Sequence, residues 1–110
     1  MIIQIFGTKK CKDTQKALRF FKERGIQIQF IDLTEKKISR GELNSITKHV
    51  PLNELIDKNG KEFEKRNLKY MNYDLEEMLL ENPLLFKTPI VRGQNKASLG
   101  FAPDEWKVFC

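Results

Sequence analysis

The spacing of the apolar residues changes at Cys11, and this change predicts the first elements of the chain. An apolar run over residues 2–6 stops at Gly7, as in a short strand that is buried on both faces. After Cys11 the spacing becomes helical and continues to Gly25. A second apolar strand follows near residues 26–33. We therefore predict a β-α-β unit, whose right-handed crossover makes the two strands parallel. The residues that show this helical spacing are Thr14, Ala17, Leu18 and Phe21.

A helical block is predicted over residues 36–82. Ser39 and Glu42 have the spacing of a capping box, and they begin a helix that is expected to run to about Val50, where a proline ends it. Asn72 is expected to cap a later helix that stops at an Asn-Pro pair. The block thus separates the β-α-β unit from the rest of the chain.

Strand patterns return in the last third of the chain. Residues 89–92 and 96–101 predict the two strands of an antiparallel hairpin around a Gly-Gln-Asn turn, and a short helix follows at 103–109. The chain is therefore predicted to be one α/β domain over residues 1–110. Its mixed sheet is built as β-α-β then β-β-α, with a helical insertion at about 36–82.

Composition and charge limit the classes of function. The net charge of +5 comes from charges of both signs, and no zinc-finger, helix-turn-helix or RNA-binding motif is present, so no direct nucleic-acid binding is expected. No metal site is predicted. Two distant cysteines favour a reducing compartment, and the chain has no export signal and no apolar run of membrane-spanning length. We therefore expect a cytoplasmic protein without a membrane partner.

Cys11 is the main candidate for chemistry because it lies at or next to the N-cap of the first helix. The unpaired N–H groups of a first turn and the helix dipole favour an anion, and a thiolate is an anion. Lys9, Lys10 and Lys12 add positive potential. The Thr14 hydroxyl is also placed to donate to the sulfur, so the pKa of Cys11 is expected below its ordinary value of about 8.5. The alternative is that Cys11 is a small apolar residue where strand meets helix.

Four segments together resemble the arsenate-reductase-like family, which has the thioredoxin fold and includes the Spx regulators. Their order and spacing are more specific than the cysteine loop alone, and they span the whole chain. The resemblance implies a cis peptide bond between Thr88 and Pro89 that faces the Cys11 sulfur. The segments are Phe6-Gly7-Thr8-Lys9-Lys10-Cys11, Leu79-Leu80-Glu81-Asn82-Pro83-Leu84-Leu85, Thr88-Pro89-Ile90-Val91 and Leu99-Gly100-Phe101.

The chain departs from the arsenate reductases of this family at the residues that bind the oxyanion. Those enzymes are expected to use three arginines, and the corresponding residues here are Thr88, Asp57 and Phe101. Each lost charge-assisted hydrogen bond forfeits about 1.5–3 kcal/mol, which argues against efficient arsenate reduction. Arg92 is a poor substitute because it would lie roughly 10 Å from the site along its strand.

The chain also departs from the redox-sensing Spx proteins, which carry a Cys-x-x-Cys motif. Thr14 stands at the second position, so a disulfide within one helical turn is excluded and Cys110 is the remaining intramolecular partner. This favours a monothiol oxidoreductase. Cys11 would attack an oxidised substrate or mixed disulfide, and a small thiol such as glutathione would release the product. No bound cofactor is expected.

Lys9, Lys10, Thr14, Thr88 and Pro89 are the predicted substrate-binding residues. The cysteine loop and the Thr88–Pro89 segment would bind the backbone of the small thiol in extended form, as thioredoxin-fold proteins do by strand-like pairing. Lys9 and Lys10 would meet its carboxylates. The alternative is that these two lysines belong to a solvated loop.

Two other functions stay open. Spx-type members act by contacting RNA polymerase, so the insertion at 36–82 could instead be a surface that recognises a polymerase subunit. The chain could also be a family member that keeps the fold without the chemistry. His49, the single histidine, is interpreted as a surface residue at a helix end, since nothing in the sequence places it near Cys11.

Overall fold

The computed structural model describes residues 2–109, which form a four-stranded sheet and five α-helices. Within that range, no helix is long and apolar enough to cross a membrane. The strands are β1 (Ile2–Gly7), β2 (Gln27–Asp32), β3 (Ile90–Gly93) and β4 (Lys96–Leu99). The helices are α1 (Lys12–Glu23), α2 (Arg40–Thr47), α3 (Lys61–Lys65), α4 (Leu75–Glu81) and α5 (Pro103–Val108). Short 3-10 helices lie at Leu52–Glu54, Leu68–Tyr70 and Pro83–Leu85.

The strand order in the sheet is β2-β1-β3-β4. β1 is an inner strand that runs parallel to β2 and antiparallel to β3, with Ile5 opposite Phe30 on one side and Val91 on the other. β3 and β4 form the predicted antiparallel hairpin. The predicted fold class is thus confirmed: a mixed sheet built as β-α-β then β-β-α, with helices inserted between the two halves.

The sheet carries an apolar core on each face, because neighbouring residues of a strand point to opposite sides. Ile5 and Val91 belong to the core beneath α1 and α5. Phe6 and Ile90 belong to the core beneath the inserted helices. β1 is therefore covered on both faces, as its continuous apolar run predicts. The first core consists of Ile3, Ile5, Ala17, Phe21, Val91, Trp106 and Phe109.

The insertion begins with the predicted capping box. The Ser39 hydroxyl accepts a hydrogen bond from the Glu42 N–H at 3.1 Å, and the Glu42 carboxylate accepts one from the Ser39 N–H at 2.9 Å. The helix ends at Thr47, before the predicted end at about Val50. The chain turns there, and the N–H groups of His49 and Val50 both donate to the Ile46 carbonyl at 3.0 Å.

Asn72 does not cap the later helix. Asp74 is the N-cap of α4, and its carboxylate accepts a hydrogen bond from the Glu77 N–H at 3.1 Å. Asn and Asp are both common N-cap residues, so the sequence alone does not decide between residues 72 and 74. The hydrogen bond in the structure identifies Asp74. α3 lies within the predicted helical block, although no separate helix was predicted at this position. Phe63 is its single buried residue, so the segment has no apolar period.

The turn from β1 to α1 depends on a close contact between Gly7 and Thr14. A Cβ atom on residue 7 would lie 2.4 Å from the Thr14 Oγ1 atom and 2.7 Å from its Cγ2 atom. Atoms do not approach so closely, so only glycine lets the first turn of α1 pack this tightly on the end of β1. The Thr14 side chain is fully buried by this contact and its neighbours.

We expect Gly7→Ala to lower the free energy of unfolding by about 1–3 kcal/mol, because the added methyl group must displace Thr14 or α1. Gly41→Ala is the matched control. Open space surrounds that position in α2, so this change should be neutral or stabilising by about 0.5–1 kcal/mol. Urea unfolding monitored by circular dichroism measures both variants, and equal midpoints would contradict the importance of the contact.

Candidate active site

Cys11 is the N-cap residue of α1, with extended backbone angles of φ −74° and ψ 117°. Two hydrogen bonds hold the loop before it. The Cys11 N–H donates to the Thr8 carbonyl at 3.2 Å, and the side-chain amide of Gln15 donates to the Lys9 carbonyl at 2.6 Å. The loop is therefore fixed to the first turn of the helix, and Cys11 is half-buried there.

The Cys11 sulfur faces Thr88, which is 77 residues away in the sequence. The Thr88 hydroxyl donates to the sulfur at 3.1 Å, and the thiol points to the Thr88 carbonyl at 3.8 Å. The peptide bond from Thr88 to Pro89 is cis, as the resemblance implied. Pro89 is buried, and its carbonyl accepts a hydrogen bond from the Gly100 N–H at 2.8 Å. The structure thus brings together the two segments that were predicted to form the site.

Opposing effects act on the pKa of Cys11, and their sum lowers it. Burial is the largest single effect, and it raises the pKa because a thiolate loses hydration. The hydroxyls of Thr14 and Thr88 and the N–H groups of Thr14 and Asp13 together outweigh burial, since each of them favours a negatively charged sulfur. The direction is the one expected from the sequence.

The contacts from the first turn of α1 are electrostatic in character and fall short of full hydrogen bonds. Cys11 makes no side-chain capping hydrogen bond. Among residues 2–109, the buried Thr14 hydroxyl has no acceptor in good hydrogen-bond geometry, although it lies near enough to the sulfur to lower its pKa. A neutral thiol is a weak acceptor. Ionisation of Cys11 would therefore strengthen these contacts.

Lys9 and Lys10 lie exposed at the turn of the cysteine loop. The hydroxyl and N–H of Thr34 lower the pKa of Asp32 at the end of β2, and the Lys9 charge adds a smaller effect in the same direction. No hydrogen bond or ion pair described within residues 2–109 joins either lysine side chain to Cys11. They can therefore contribute only as exposed charges beside the site.

A cleft of about 350 Å³ opens next to Thr88, between the cysteine loop and the insertion. Thr8 lines it together with Thr88, and the insertion contributes two acidic residues and one basic residue, which are Asp57, Glu62 and Lys61. The Asp57 carboxylate accepts a hydrogen bond from the Asn59 N–H at 3.2 Å. A position that was matched to an oxyanion-binding arginine is thus an acidic residue at the edge of this cleft, which disfavours a doubly charged anion.

Neither Phe101 nor Arg92 places a guanidinium group at the Cys11 sulfur. Phe101 is 54% exposed, and its ring packs edge-on against Trp106 with a centroid distance of 5.5 Å. The Arg92 Nε atom donates to the Gln4 side-chain oxygen at 2.7 Å, and Gln4 lies opposite Arg92 across the β1–β3 pairing. Arg92 is therefore engaged on the sheet away from Cys11.

Two residues of the site were not predicted. Thr8 lines the cleft, and Gln15 braces the loop through the Lys9 carbonyl. Gln15 contacts a backbone carbonyl and Thr8 lines a cleft. Neither role requires a recognisable sequence motif, so a single sequence does not reveal it. Within the described part of the chain, no group of His, Cys, Asp and Glu side chains could hold a metal ion.

Two other residues raised by the sequence lie elsewhere. His49 lines a separate cavity of about 170 Å³, together with Lys96 and Glu105. Cys110, the remaining intramolecular partner for Cys11, lies outside the described residues.

A family model described as the ArsC family matches residues 6–109. The chain belongs to the ArsC family. The global transcriptional regulator Spx 2 of Oceanobacillus iheyensis is 27% identical to this ArsC-family chain over 114 residues, which cover 99% of the chain and 84% of the regulator.

Solved structures show that the fold of this ArsC-family chain is thioredoxin-like. An arsenate reductase from Vibrio cholerae is 23% identical, with a TM-score of 0.81, and the match covers 100% of this chain and 98% of that protein. An ArsC-family-related protein from Bacteroides fragilis is 21% identical, with a TM-score of 0.87 and the same coverage of 100% and 98%. At sequence identities this low, the similarity to these two structures establishes a shared fold and does not establish a shared function.

Thr88→Val is expected to raise the pKa of Cys11 and to slow its alkylation at neutral pH about tenfold, because a hydrogen bond to a charged group contributes about 1.5–3 kcal/mol. Thr88→Ser keeps the hydroxyl and should keep the rate. The measurement is the pH dependence of the iodoacetamide reaction in a Cys110→Ser background. Identical profiles for the valine and serine variants would show that the hydroxyl does not stabilise the thiolate.

The lowered pKa of Cys11 also predicts a pH dependence of stability. Between the folded-state pKa and the unfolded value of about 8.5, the unfolded chain binds more protons, so the free energy of unfolding rises with pH. This contribution is complete above about 8.5 and is lost as pH falls through the folded-state pKa.

Urea unfolding at several pH values, with and without Cys11→Ser in a Cys110→Ser background, measures this contribution of Cys11. The stability difference between the two proteins should grow with pH. A stability difference that falls as pH rises would mean that folding raises the pKa of Cys11.

Proposed function

We propose that this chain is a thiol-dependent oxidoreductase in which Cys11 acts as a single attacking thiol. One observation supports this proposal above the others: the Cys11 sulfur lies at the N-terminus of α1 and accepts a hydrogen bond from the Thr88 hydroxyl, beside a cis proline. These contacts favour the thiolate, which is the nucleophilic form of cysteine. Cys11 is only half-buried, so an incoming disulfide can reach it.

The proposed reaction has two exchange steps. The Cys11 thiolate first attacks the small-thiol sulfur of a mixed disulfide. A new S–S bond joins Cys11 to that sulfur, the S–S bond of the substrate breaks, and the substrate thiolate leaves and takes a proton from water. The thiolate of a second small thiol then attacks the sulfur bound to Cys11. Cys11 leaves as a thiolate, the substrate has been reduced, and the small-thiol sulfur taken from it leaves in a disulfide with the second small thiol.

The groups around Cys11 suit a small thiol such as glutathione. The Thr88–Pro89 segment offers main-chain groups next to the sulfur, where an extended thiol backbone would pair as a strand. Lys9 and Lys10, exposed on the cysteine loop, would meet the carboxylates of the thiol. Neither lysine is needed for the bond exchange itself. We therefore expect both to affect the small-thiol step more than the attack by Cys11.

Arsenate is a poor substrate in this proposal. The positions that correspond to the arginines are Thr88 beside the sulfur, Asp57 at the cleft and the exposed Phe101. Losing two charge-assisted hydrogen bonds of about 1.5–3 kcal/mol each weakens oxyanion binding by 10² or more. The Asp57 carboxylate adds repulsion.

A second candidate function is binding to RNA polymerase, as a transcriptional regulator. Two observations favour it. A relative that matches 99% of the chain is named a global transcriptional regulator. The insertion also exposes Tyr70 and Met71, at 85% and 52%, and neighbouring exposed apolar residues of this size are common at protein interfaces.

The proposal predicts that the Cys110→Ser protein reduces a glutathionylated protein in the presence of glutathione, with turnover followed by glutathione reductase and NADPH. Adding Cys11→Ser should abolish turnover, because no other nucleophile is available in the proposed scheme. Arsenate should give no turnover above the Cys11→Ser background. Turnover that survives Cys11→Ser would refute the assignment. Absent turnover together with capture of purified RNA polymerase, equally by both proteins, would favour the regulator instead.

A further inference from the structure

A shallow groove of about 250 Å³ lies between the exposed side of α1 and the segment 101–106. Its apolar lining comes from Phe20, the exposed Phe101 and the buried Trp106. The groove is on the side of the sheet that α1 and α5 cover, and it is distinct from the cleft between Thr88 and the insertion. Neither the cysteine chemistry nor the fold accounts for an aromatic residue left open here.

Phe101 is exposed but held in a defined position. Its ring packs edge-on against Trp106, and the Lys16 ammonium lies 4.9 Å from the ring centroid. With 54% of the residue accessible, Phe101 offers apolar surface that a partner can cover. Because the ring is already fixed, docking on it costs less side-chain entropy than docking on a free side chain.

The charges around the groove are mainly basic. Lys16, Arg19 and Arg24 line it, against Glu23 as the acidic residue among its lining groups. Lys16 forms only a long ion pair of 4.0 Å with Asp13, and both side chains are largely exposed, so little of its charge is compensated. This asymmetry favours an acidic occupant through electrostatic complementarity.

Arg24 is also fixed at the groove. Its guanidinium stacks 3.6 Å from the centroid of the Phe20 ring, and its NH1 group donates to the Phe20 carbonyl at 3.1 Å. A guanidinium group has five N–H donors, and the single hydrogen bond of Arg24 leaves most of them free to bind a carboxylate. The basic Arg24 side chain is therefore held in place by the apolar Phe20 side chain of the same groove.

The backbone links the groove to the Cys11 site from two sides. The Gly100 N–H is bonded to the Pro89 carbonyl, so Phe101 follows a residue that is tied to the cis-proline segment. Lys16 follows Cys11 by five residues, which is about 7.5 Å along a helix. An extended chain covers that distance in two to three residues. While its mixed disulfide is at Cys11, a polypeptide substrate thus reaches Phe101 with the residues next to its cysteine.

We propose that this groove docks an acidic segment of a protein substrate, with an apolar side chain packed on Phe101 and the substrate cysteine two to three residues away at Cys11. This inference rests on the proposed oxidoreductase function, and it names the substrate class as protein mixed disulfides flanked by acidic and apolar residues. Carboxylates of the segment lie against Arg19 and Arg24. A small thiol needs only the loop and the Thr88–Pro89 segment.

The test uses synthetic peptides of sequence Cys-Gly-Gly-Phe-Glu-Asp-Glu, each cysteine carried as a mixed disulfide with glutathione. Matched peptides replace the three acidic residues with Lys or with Gln, and a fourth replaces Phe with Ala. Acid-quenched samples separated by reversed-phase chromatography give the rate constant for release of the peptide thiol by Cys11 in the Cys110→Ser protein. The quantity compared is the ratio between peptides, so a change in the reactivity of Cys11 itself cancels.

We expect the acidic peptide to react about tenfold faster than the Lys peptide at low ionic strength. Arg19→Glu combined with Arg24→Glu should remove or invert this preference. Lys48→Glu combined with Lys65→Glu makes the same change in net charge on the insertion and should preserve it. The advantage of the Phe peptide over the Ala peptide should disappear in Phe101→Ala.

The outcomes separate the two proposals. If none of the peptide disulfides reacts with Cys11, the oxidoreductase function itself fails. If all the peptides react at one rate, the chemistry stands and the groove assignment is overturned. An acidic preference that survives the Arg19 and Arg24 reversal would place the contact elsewhere, with Lys9 and Lys10 as the next cations, and would also overturn the groove.

Discussion

The site depends on the pairing of β1 with β3 at the centre of the sheet. Cys11 and Thr88 are 77 residues apart, and they meet because β1 leads into the cysteine loop while β3 begins directly after Pro89. The two strands are antiparallel, so the end of one lies beside the start of the other, with Phe6 opposite Ile90. The cores on the two faces hold this register, because slipping it by one residue would turn Ile5 and Phe6 to the wrong sides.

Burial and polar contacts compete at the sulfur, and the outcome decides what chemistry is available. Burial alone would raise the pKa of Cys11, whereas the hydroxyls of Thr14 and Thr88 and the first-turn N–H groups together lower it. All of these groups are uncharged. A site that stabilises an anion by dipoles suits a sulfur that alternates between thiolate and disulfide, since the disulfide state leaves no strong positive charge unpaired. An oxyanion with two charges needs bidentate guanidinium donors at the sulfur, and this site has none among the described residues.

Much of the fold was predictable because its signals are local. The apolar run before Gly7 and the capping box at Ser39 each specify an element by themselves. The boundary errors occurred where two residues of similar chemistry competed, as for Asn72 and Asp74, and α3 was missed because Phe63 alone makes no pattern. At the site, the sequence placed Cys11 at the helix N-terminus. The contact of Thr88 with the sulfur came only from the resemblance, since local sequence carries no information on contacts over that distance.

The two-faced sheet has an evolutionary consequence. The helix that begins at Cys11 packs on one face, and the inserted helices pack on the other, with separate sets of buried residues. Substitutions in the insertion therefore leave the packing of the cysteine helix almost untouched. Selection can hold the cysteine helix constant while the insertion drifts and acquires new surfaces. Such modular divergence offers a physical reason why one family fold is shared by a protein named arsenate reductase and a protein named transcriptional regulator.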